Sequence, residues 1–271
     1  MSMANLTAAV EAINALKDTF LAKVNQINAA VAAAGAGYAA LATDLKATVA
    51  DVMDVTISYD PAAPDALLQD GGVFRTWAEL RTFVLARPRG AQINVVLPVA
   101  SVLNVTQTLG IVDSFYNVNF KSAIANTPNR PKLLFVCTAS ATHNSWPWLN
   151  CGDGGSIKLI DTDVELTAKA NAALPNSTSN AAFNVTFGSN GFLTFIQSKL
   201  KAPADTNIIQ LSNSGIARVV MRTVEIDGPT IGLYRYAGQG VAILSTSVVT
   251  LLNGALLHSA DFTLGSNLMR N

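Results

Sequence analysis

Charge is scarce in this chain: Asp, Glu, Lys and Arg make up 13% of its 271 residues, against a hydrophobic fraction of 50%. An average soluble domain carries about 25% charged residues. The shortage predicts that much of the surface is buried in an oligomer or a larger assembly. Neither sign is in excess, because 18 Lys and Arg balance 18 Asp and Glu. That balance argues against nucleic-acid binding through a broad basic face. Residues 1–56 carry Lys17, Lys23 and Lys46 against Glu11, Asp18, Asp44, Asp51 and Asp54. This slightly acidic segment does not suit a basic helix lying on a membrane surface. No apolar run reaches the roughly 20 residues of a membrane span. No basic stretch followed by a continuous apolar one marks a secretory signal, so the expectation is folding in the cytosol of the producing cell.

Cysteine and histidine are equally sparse, at two each. Cys137 and Cys151 make no disulfide framework. Cys137, His143, Cys151 and Asp153 fall within 17 residues, but their spacing matches no zinc pattern. Two histidines, His143 and His258, do not assemble a Ser-His-Asp set. Gly152-Asp153-Gly154-Gly155 reads as a turn, since no Lys-Ser/Thr follows it and no strand-to-helix context surrounds it. The expectation is therefore no metal and no cofactor.

What the sequence does have begins at its start. Leu6, Val10, Ile13, Phe20, Val24, Ile27 and Val31 recur at steps of four and three, with Lys17 the one break. As heptads, Leu6, Ile13, Phe20 and Ile27 take d, and Val10, Lys17, Val24 and Val31 take a. Gly35-Ala36-Gly37 interrupts helix propensity, at about 1 kcal/mol per Gly. The register nevertheless continues through Ala34, Tyr38, Leu41, Leu45, Val52 and Val55. Residues 1–56 thus read as a helical stalk roughly 75 Å long at 1.5 Å per residue. Ser2 or Asn5 supplies its cap. The competing arrangement is a helical hairpin turning at the two glycines. Ile at two d positions and Val at a, widened by Leu16 (g) and Leu21 (e), favour three strands over two. The interface residues are then Leu6, Val10, Ile13, Phe20, Val24, Ile27, Val31, Tyr38, Leu41 and Leu45.

Residues 57–90 read as a linker with a short helix. Asp60-Pro61-Ala62-Ala63-Pro64-Asp65 and Asp70-Gly71-Gly72 are turn-rich. FRTWAELRTFVLA reads as an amphipathic helix with Thr76 as N-cap and Glu79 completing a capping box. Trp77, Leu80, Phe83 and Val84 form its apolar face, and Pro88 and Gly90 stop it.

From 91 to 271 the period changes. Short β-rich runs lie at Ile93–Leu97, Val118–Phe120, Leu133–Cys137, Ile157–Ile160, Val164–Thr167, Phe183–Phe187, Phe192–Ile196, Ile208–Leu211, Val219–Ile226, Val241–Leu244, Val248–Leu252 and Phe262–Leu264. One strong run per turn gives intervals of roughly 16 to 27 residues, which fits a parallel β-solenoid. Asn104, Asn117, Asn119, Asn184, Asn207, Asn213 and Asn253 sit beside these runs, where Asn suits left-handed corners. The helix at 76–86 would lid the exposed apolar end of such a solenoid. The fold class expected is mainly β with an N-terminal α segment: a coiled-coil stalk and a β-solenoid body, with an antiparallel β-sandwich as the alternative body.

A helical N-terminus, the entry Gly71-Gly72-Val73-Phe74-Arg75-Thr76-Trp77-Ala78-Glu79-Leu80, and strand phrases such as VLNVTQTL together resemble bacteriophage tail fibres and tailspikes. The resemblance implies a homotrimer in the virion, assembled in the host cytoplasm. It implies docking to other virion proteins through the N-terminal helices and a body facing bacterial surface polysaccharide. A head or neck fibre, or an adaptor carrying another fibre, fits the length equally. Enzymes of this shape cleave polysaccharide with paired carboxylates, which directs attention to Asp161, Asp163 and Glu165 in IDTDVELT, and to Glu225 and Asp227. A strand with one solvated face has the same pattern, and that is the reading adopted. Trp146 and Trp148 in NSWPWLN are the candidates for stacking on sugar rings, although aromatics flanking a proline more often belong to a packed loop or a subunit contact. The sequence thus points first to a structural virion protein, and second to a polysaccharide-degrading enzyme. A bacterial adhesin is weaker, for want of a signal peptide.

Overall fold

The computed structural model describes residues 2–109, 117–151, 154–177, 181–185, 190–204, 206–211, 216–235, 241–260, 262 and 268–270. The chain divides into two units, Met1–Ala50 and Asp51–Asn271.

The first unit is made by α1 (Met3–Met53), a single helix of 51 residues whose last three residues fall in the second unit. Ser2 caps it, its Oγ accepting from the amide of Ala4 at 3.2 Å. Gly35 and Gly37 lie inside the helix, and a Cβ at either would meet nothing within 4 Å. The two glycines cause no turn, so the hairpin does not form. The helix stops short of residue 56, because Val55 lies in the next strand and is fully buried. Val55 therefore belongs to the core of the second unit and not to a d position.

The second unit starts with β1 (Asp54–Tyr59), β2 (Gly72–Phe74), α2 (Trp77–Leu85), β3 (Gln92–Leu97), β4 (Val102–Val105) and β5 (Asn117–Ser122). Then come β6 (Lys132–Phe135), β7 (Thr138–Ala139), β8 (Asn144–Ser145), β9 (Leu149–Asn150), β10 (Ser156–Ile160) and β11 (Asp163–Leu166). The remainder are β12 (Ala181–Val185), β13 (Asn190–Lys201), β14 (Asn207–Leu211), β15 (Ile216–Asp227), β16 (Ile231–Arg235), β17 (Val241–Leu252), β18 (Leu256–His258) and β19 (Leu268–Arg270). Residues 57–90 are thus no mere linker, since β1 and β2 already pair in parallel there. Of the expected run Phe183–Phe187 the last two residues, and of Phe262–Leu264 also the last two, lie outside the described residues.

The strands form a twelve-stranded, a five-stranded and a two-stranded sheet, the last of β7 and β8. Between named strands every pairing is parallel except that of β7 with β8, so an antiparallel sandwich is not what this sequence builds. Three stacks of strands can be followed. In the first, Val55, Ile93, Val118, Ile157, Leu193, Val219 and Leu244 lie side by side on successive strands. All seven are buried. In the second, Leu103, Leu133, Val164, Leu200 and Ile226 form such a column. In the third, Leu149, Phe183, Ile209 and Leu233 do so. Each fully buried apolar side chain contributes roughly 1.5–3 kcal/mol. Phe183 joins all three stacks, with ring centroids 5.8 Å from Phe135 and 5.2 Å from Phe195.

Neighbouring strands of the first stack are 25 residues apart where Ile216 lies beside Val241, and 39 where Asn117 lies beside Ser156. The expected spacing of 16 to 27 is too short because the runs at 119 and 135 are not successive layers. They are β5 and β6, which belong to different stacks.

The first and second stacks meet at a bend made by left-handed residues. Asp161 (φ 49°), Gln197 (φ 52°), Thr223 (φ 54°) and Val248 (φ 55°) occupy matching positions beside one another. Of the asparagines expected at corners, Asn253 alone among the described residues is left-handed. Asn104, Asn117, Asn119, Asn184 and Asn207 lie within strands, and Asn213 is outside the described residues. Inside the sheet they make lateral bonds: Asn119 Nδ2 donates to Asn94 Oδ1 at 3.0 Å, and Asn94 Nδ2 to Asp54 Oδ1 at 3.1 Å.

The helix α2 forms as its sequence predicts. Thr76 Oγ1 accepts from the Glu79 amide at 3.3 Å, and Glu79 Oε2 accepts from the Thr76 amide at 3.1 Å. Trp77, Leu80, Phe83 and Val84 are buried. The Trp77 indole N–H donates to the Gln107 carbonyl at 2.7 Å, which fixes the helix on the body near β4.

Candidate interaction surfaces

Along α1 the four-and-three spacing places one apolar stripe on one side of the helix. Leu6, Val10, Ile13, Phe20, Ile27, Val31, Tyr38, Leu41 and Leu45 are all exposed, from 50% at Val10 to 75% at Tyr38; Val24 is half-buried. Soluble monomers rarely expose so long an apolar stripe. Leu16 and Leu21, which flank the stripe, are exposed as well. Lys17, inside it, is exposed.

Four acidic residues of the body, Asp163, Glu165, Glu225 and Asp227, are engaged with cations. Asp163 accepts from Arg130 Nε at 2.7 Å and from the Lys199 amide at 2.8 Å. Glu165 lies between Lys132 and Lys201, with the Lys201 ammonium at 3.2 Å. Burial alone would raise the Glu165 pKa, but hydrogen bonds from the two lysines outweigh it and hold the carboxyl below its usual range. Lys199 bonds Asp227 at 2.8 Å and sits 3.9 Å from Glu225. The Asp227 carboxyl is held low by its hydrogen bonds from Lys199 and Asn253. Going from β6 through β11 and β13 to β15, the sign of the charge alternates strand by strand. Such cross-strand pairs neutralise one another, and each of these four carboxylates has a cation within 4 Å. Asp161 does not share a face with Asp163 and Glu165, because it sits at the bend before β11.

Trp146 is 1% exposed, and its indole N–H donates to the Thr167 carbonyl at 3.0 Å. Both ring faces are spent in the core, so Trp146 cannot stack on a sugar. Trp148 is half-buried, with its carbonyl accepting from the Leu109 amide at 3.0 Å. Cys137 and Cys151 are buried and unbridged. Desolvation pushes the Cys151 thiol up to about 12. Gly152 and Asp153 lie outside the described residues. Among the described residues no group of three His, Cys, Asp or Glu side chains could hold a metal ion. No described helix is long and apolar enough to cross a membrane.

One feature at the bend has no counterpart in the sequence reading. Asn126, Thr127, Pro128, Arg130, Asp161, Gln197 and Thr223 line a cavity of about 280 Å³. These residues come from segments up to 97 positions apart, between Asn126 and Thr223, so nothing local in the sequence signals it. No family model, no curated protein and no solved structure matches the chain.

Proposed function

We propose that this chain is a structural protein of a bacteriophage virion, a trimeric fibre or spike held together by α1 and presenting a β-solenoid body to the host surface. The carrying observation is the stripe from Leu6 to Leu45, exposed over nearly its whole length on one unbroken helix. An isolated helix with that much apolar surface gains by packing against its own copies, and heptad spacing supports a coiled coil. Ile at d with flanking Leu16 and Leu21 favours three strands. The parallel stacks, advancing by 25 to 39 residues per layer, support a solenoid for the body. The box-capped helix α2 lids it. Other virion proteins would hold the N-terminal helices, and bacterial polysaccharide would meet the body.

A polysaccharide-degrading activity draws no support from Asp163, Glu165, Glu225 or Asp227, since lysines and an arginine engage all four. The test of the fibre reading is Ile13→Asp with Ile27→Asp. The variant should sediment as a monomer with an intact body, while the native chain sediments as a trimer. A native monomer would defeat the proposal.

A further inference from the structure

The outer face of the first stack gathers cations without counter-charges. Side chains along β5, β10, β13 and β15 alternate between the core and this face. Val118, Ile157, Leu193 and Val219 point inward and are buried. Lys121, Lys158, Arg218 and Arg222 therefore point outward; Lys158 is half-buried and the other three are exposed. Among the described residues no carboxylate forms an ion pair with any of the four. The second stack differs, since Arg130, Lys132, Lys199 and Lys201 each pair with a carboxylate there. The strands of the first stack carry one acid among their described residues, Asp54 on β1, and it accepts from Asn94 Nδ2 at 3.1 Å. Cations in contact with water need no partner in the free chain, and these four stay available to an incoming anion.

Parallel register fixes their spacing. Lys121 and Arg222 stand in one column with Ile160 and Ile196 between them. Three strand steps of about 4.8 Å put them about 14 Å apart. Lys158 is in the next column, diagonal to Lys121 at roughly 7–8 Å. Arg218 and Arg222 are four residues apart on β15, which is about 13 Å. Between and beside these charges lie Thr194, Ile196 and Val220, all half-buried. Phe192 completes the patch, 37% exposed, with the Arg218 guanidinium 5.3 Å from its ring centroid. The surface is an open sheet of spaced cations over a mixed hydroxyl and aliphatic floor.

We propose that this face binds an acidic polysaccharide, its carboxylates on Lys121, Lys158, Arg218 and Arg222 and its sugar rings over Thr194, Ile196 and Val220. Charge complementarity makes the partner anionic, and the two guanidinium groups match carboxylates in bidentate geometry. Charges set this far apart do not match a nucleic-acid duplex, which carries one negative charge per about 1.7 Å of axis. A protein partner fits worse, because the centre of such an interface buries large apolar side chains. Ile160, Ile196 and Val220 are already half covered by their neighbours and have little apolar area left to bury. A sugar ring offers both C–H and hydroxyl groups, which suit aliphatic side chains beside a threonine. The inference rests on the reading of the body as the host-facing part, and it names the class of glycan and the face that meets it.

The experiment is a calorimetric titration of the intact chain, at neutral pH and low salt, with oligogalacturonate, dextran of equal length and poly-glutamate. Oligogalacturonate should bind saturably and more weakly as salt is added. Dextran, which lacks the carboxylates, should bind about tenfold more weakly or worse. Arg218→Gln with Arg222→Gln should weaken oligogalacturonate to the same degree with an unchanged circular dichroism spectrum, since both side chains are exposed. Lys201→Gln, on the face of the second stack, should leave binding as it is in the native chain. The proposal is overturned by absent oligogalacturonate binding, by equal binding of dextran, or by undiminished binding in the double variant. Poly-glutamate binding as tightly as oligogalacturonate would overturn the glycan assignment, and a loss in Lys201→Gln equal to that in the double variant would overturn the choice of face. Light scattering on the same sample separates the two readings. A trimer that ignores oligogalacturonate removes this face alone, and a monomer that binds it removes the fibre alone.

Discussion

Replacing Phe183 by Ala tests whether three stacks of strands share one core. Phe183 is fully buried in β12 and meets Phe135 of the second stack and Phe195 of the first. Truncating a buried Phe costs about 3–5 kcal/mol. Two edge-on ring contacts, each worth about 0.5–1.5 kcal/mol beyond area, place this site at the upper end of that range. The expected loss is about 5 kcal/mol, a large fraction of the 5–15 kcal/mol that holds a typical domain folded. The comparison is Phe192→Ala. That ring is 37% exposed, with the Arg218 guanidinium 5.3 Å from its centroid. Its loss should cost about 1 kcal/mol or less. Urea unfolding of both variants at matched protein concentration reads the difference. If Phe183→Ala shifts stability by less than 1 kcal/mol, or no more than Phe192→Ala, the shared core is wrong.

The ionic ladder should make stability depend on pH at both ends. Glu165 and Asp227 are held below their ordinary range, so their contribution is complete above the unfolded carboxyl pKa of about 4 and is lost as pH falls through the lowered folded value. The unfolding midpoint should be flat near neutrality and drop in acid, and Asp227→Asn should blunt that drop. Lys199 is raised by its bond to Asp227, so its share is present below about pH 10.4 and lost as pH rises through the folded value. An acid limb unchanged in Asp227→Asn would remove the ladder from the account. Thr76→Ala should destabilise the body by about 1 kcal/mol through loss of the cap on α2, with Thr76→Ser restoring most of it in the same denaturation assay. Cys151, 1% exposed and with its thiol pushed up to about 12, should resist iodoacetamide in the native chain and react only after denaturation. Rapid native alkylation at Cys151, read by mass spectrometry, would contradict its placement.

Local rules were readable wherever the interacting residues are neighbours in sequence. The capping box of Thr76 and Glu79 sits within one turn, and the heptad spacing runs unbroken through Gly35 and Gly37, which cost about 1 kcal/mol each but do not end the 51-residue helix. Strands were readable as short β-rich runs, but their layering was not. Whether β5 and β6 are successive layers or two sides of one depends on the bend between them, which no single run encodes. The bend itself misleads a reader of residue types. Asn was expected there, yet Thr223 and Val248 take left-handed backbone at φ 54° and 55°. β-branched residues avoid that region, so the stacked neighbours impose it. The same non-locality hid the partners of Glu165, which lie 33 and 36 residues away at Lys132 and Lys201. Trp146, beside Pro147, lies in a packed loop, the commoner place for such an aromatic, and its indole bond to the distant Thr167 carbonyl is what no local pattern reveals.

The most direct measurement is the molar mass in solution by light scattering, for the full chain and for a chain beginning at Asp51. The full chain should give three times the 28.4 kDa chain mass, falling in the shortened chain as the α1 stripe is removed. A full chain of 28.4 kDa at all concentrations, with the stripe from Leu6 to Leu45 exposed to water, would contradict the account.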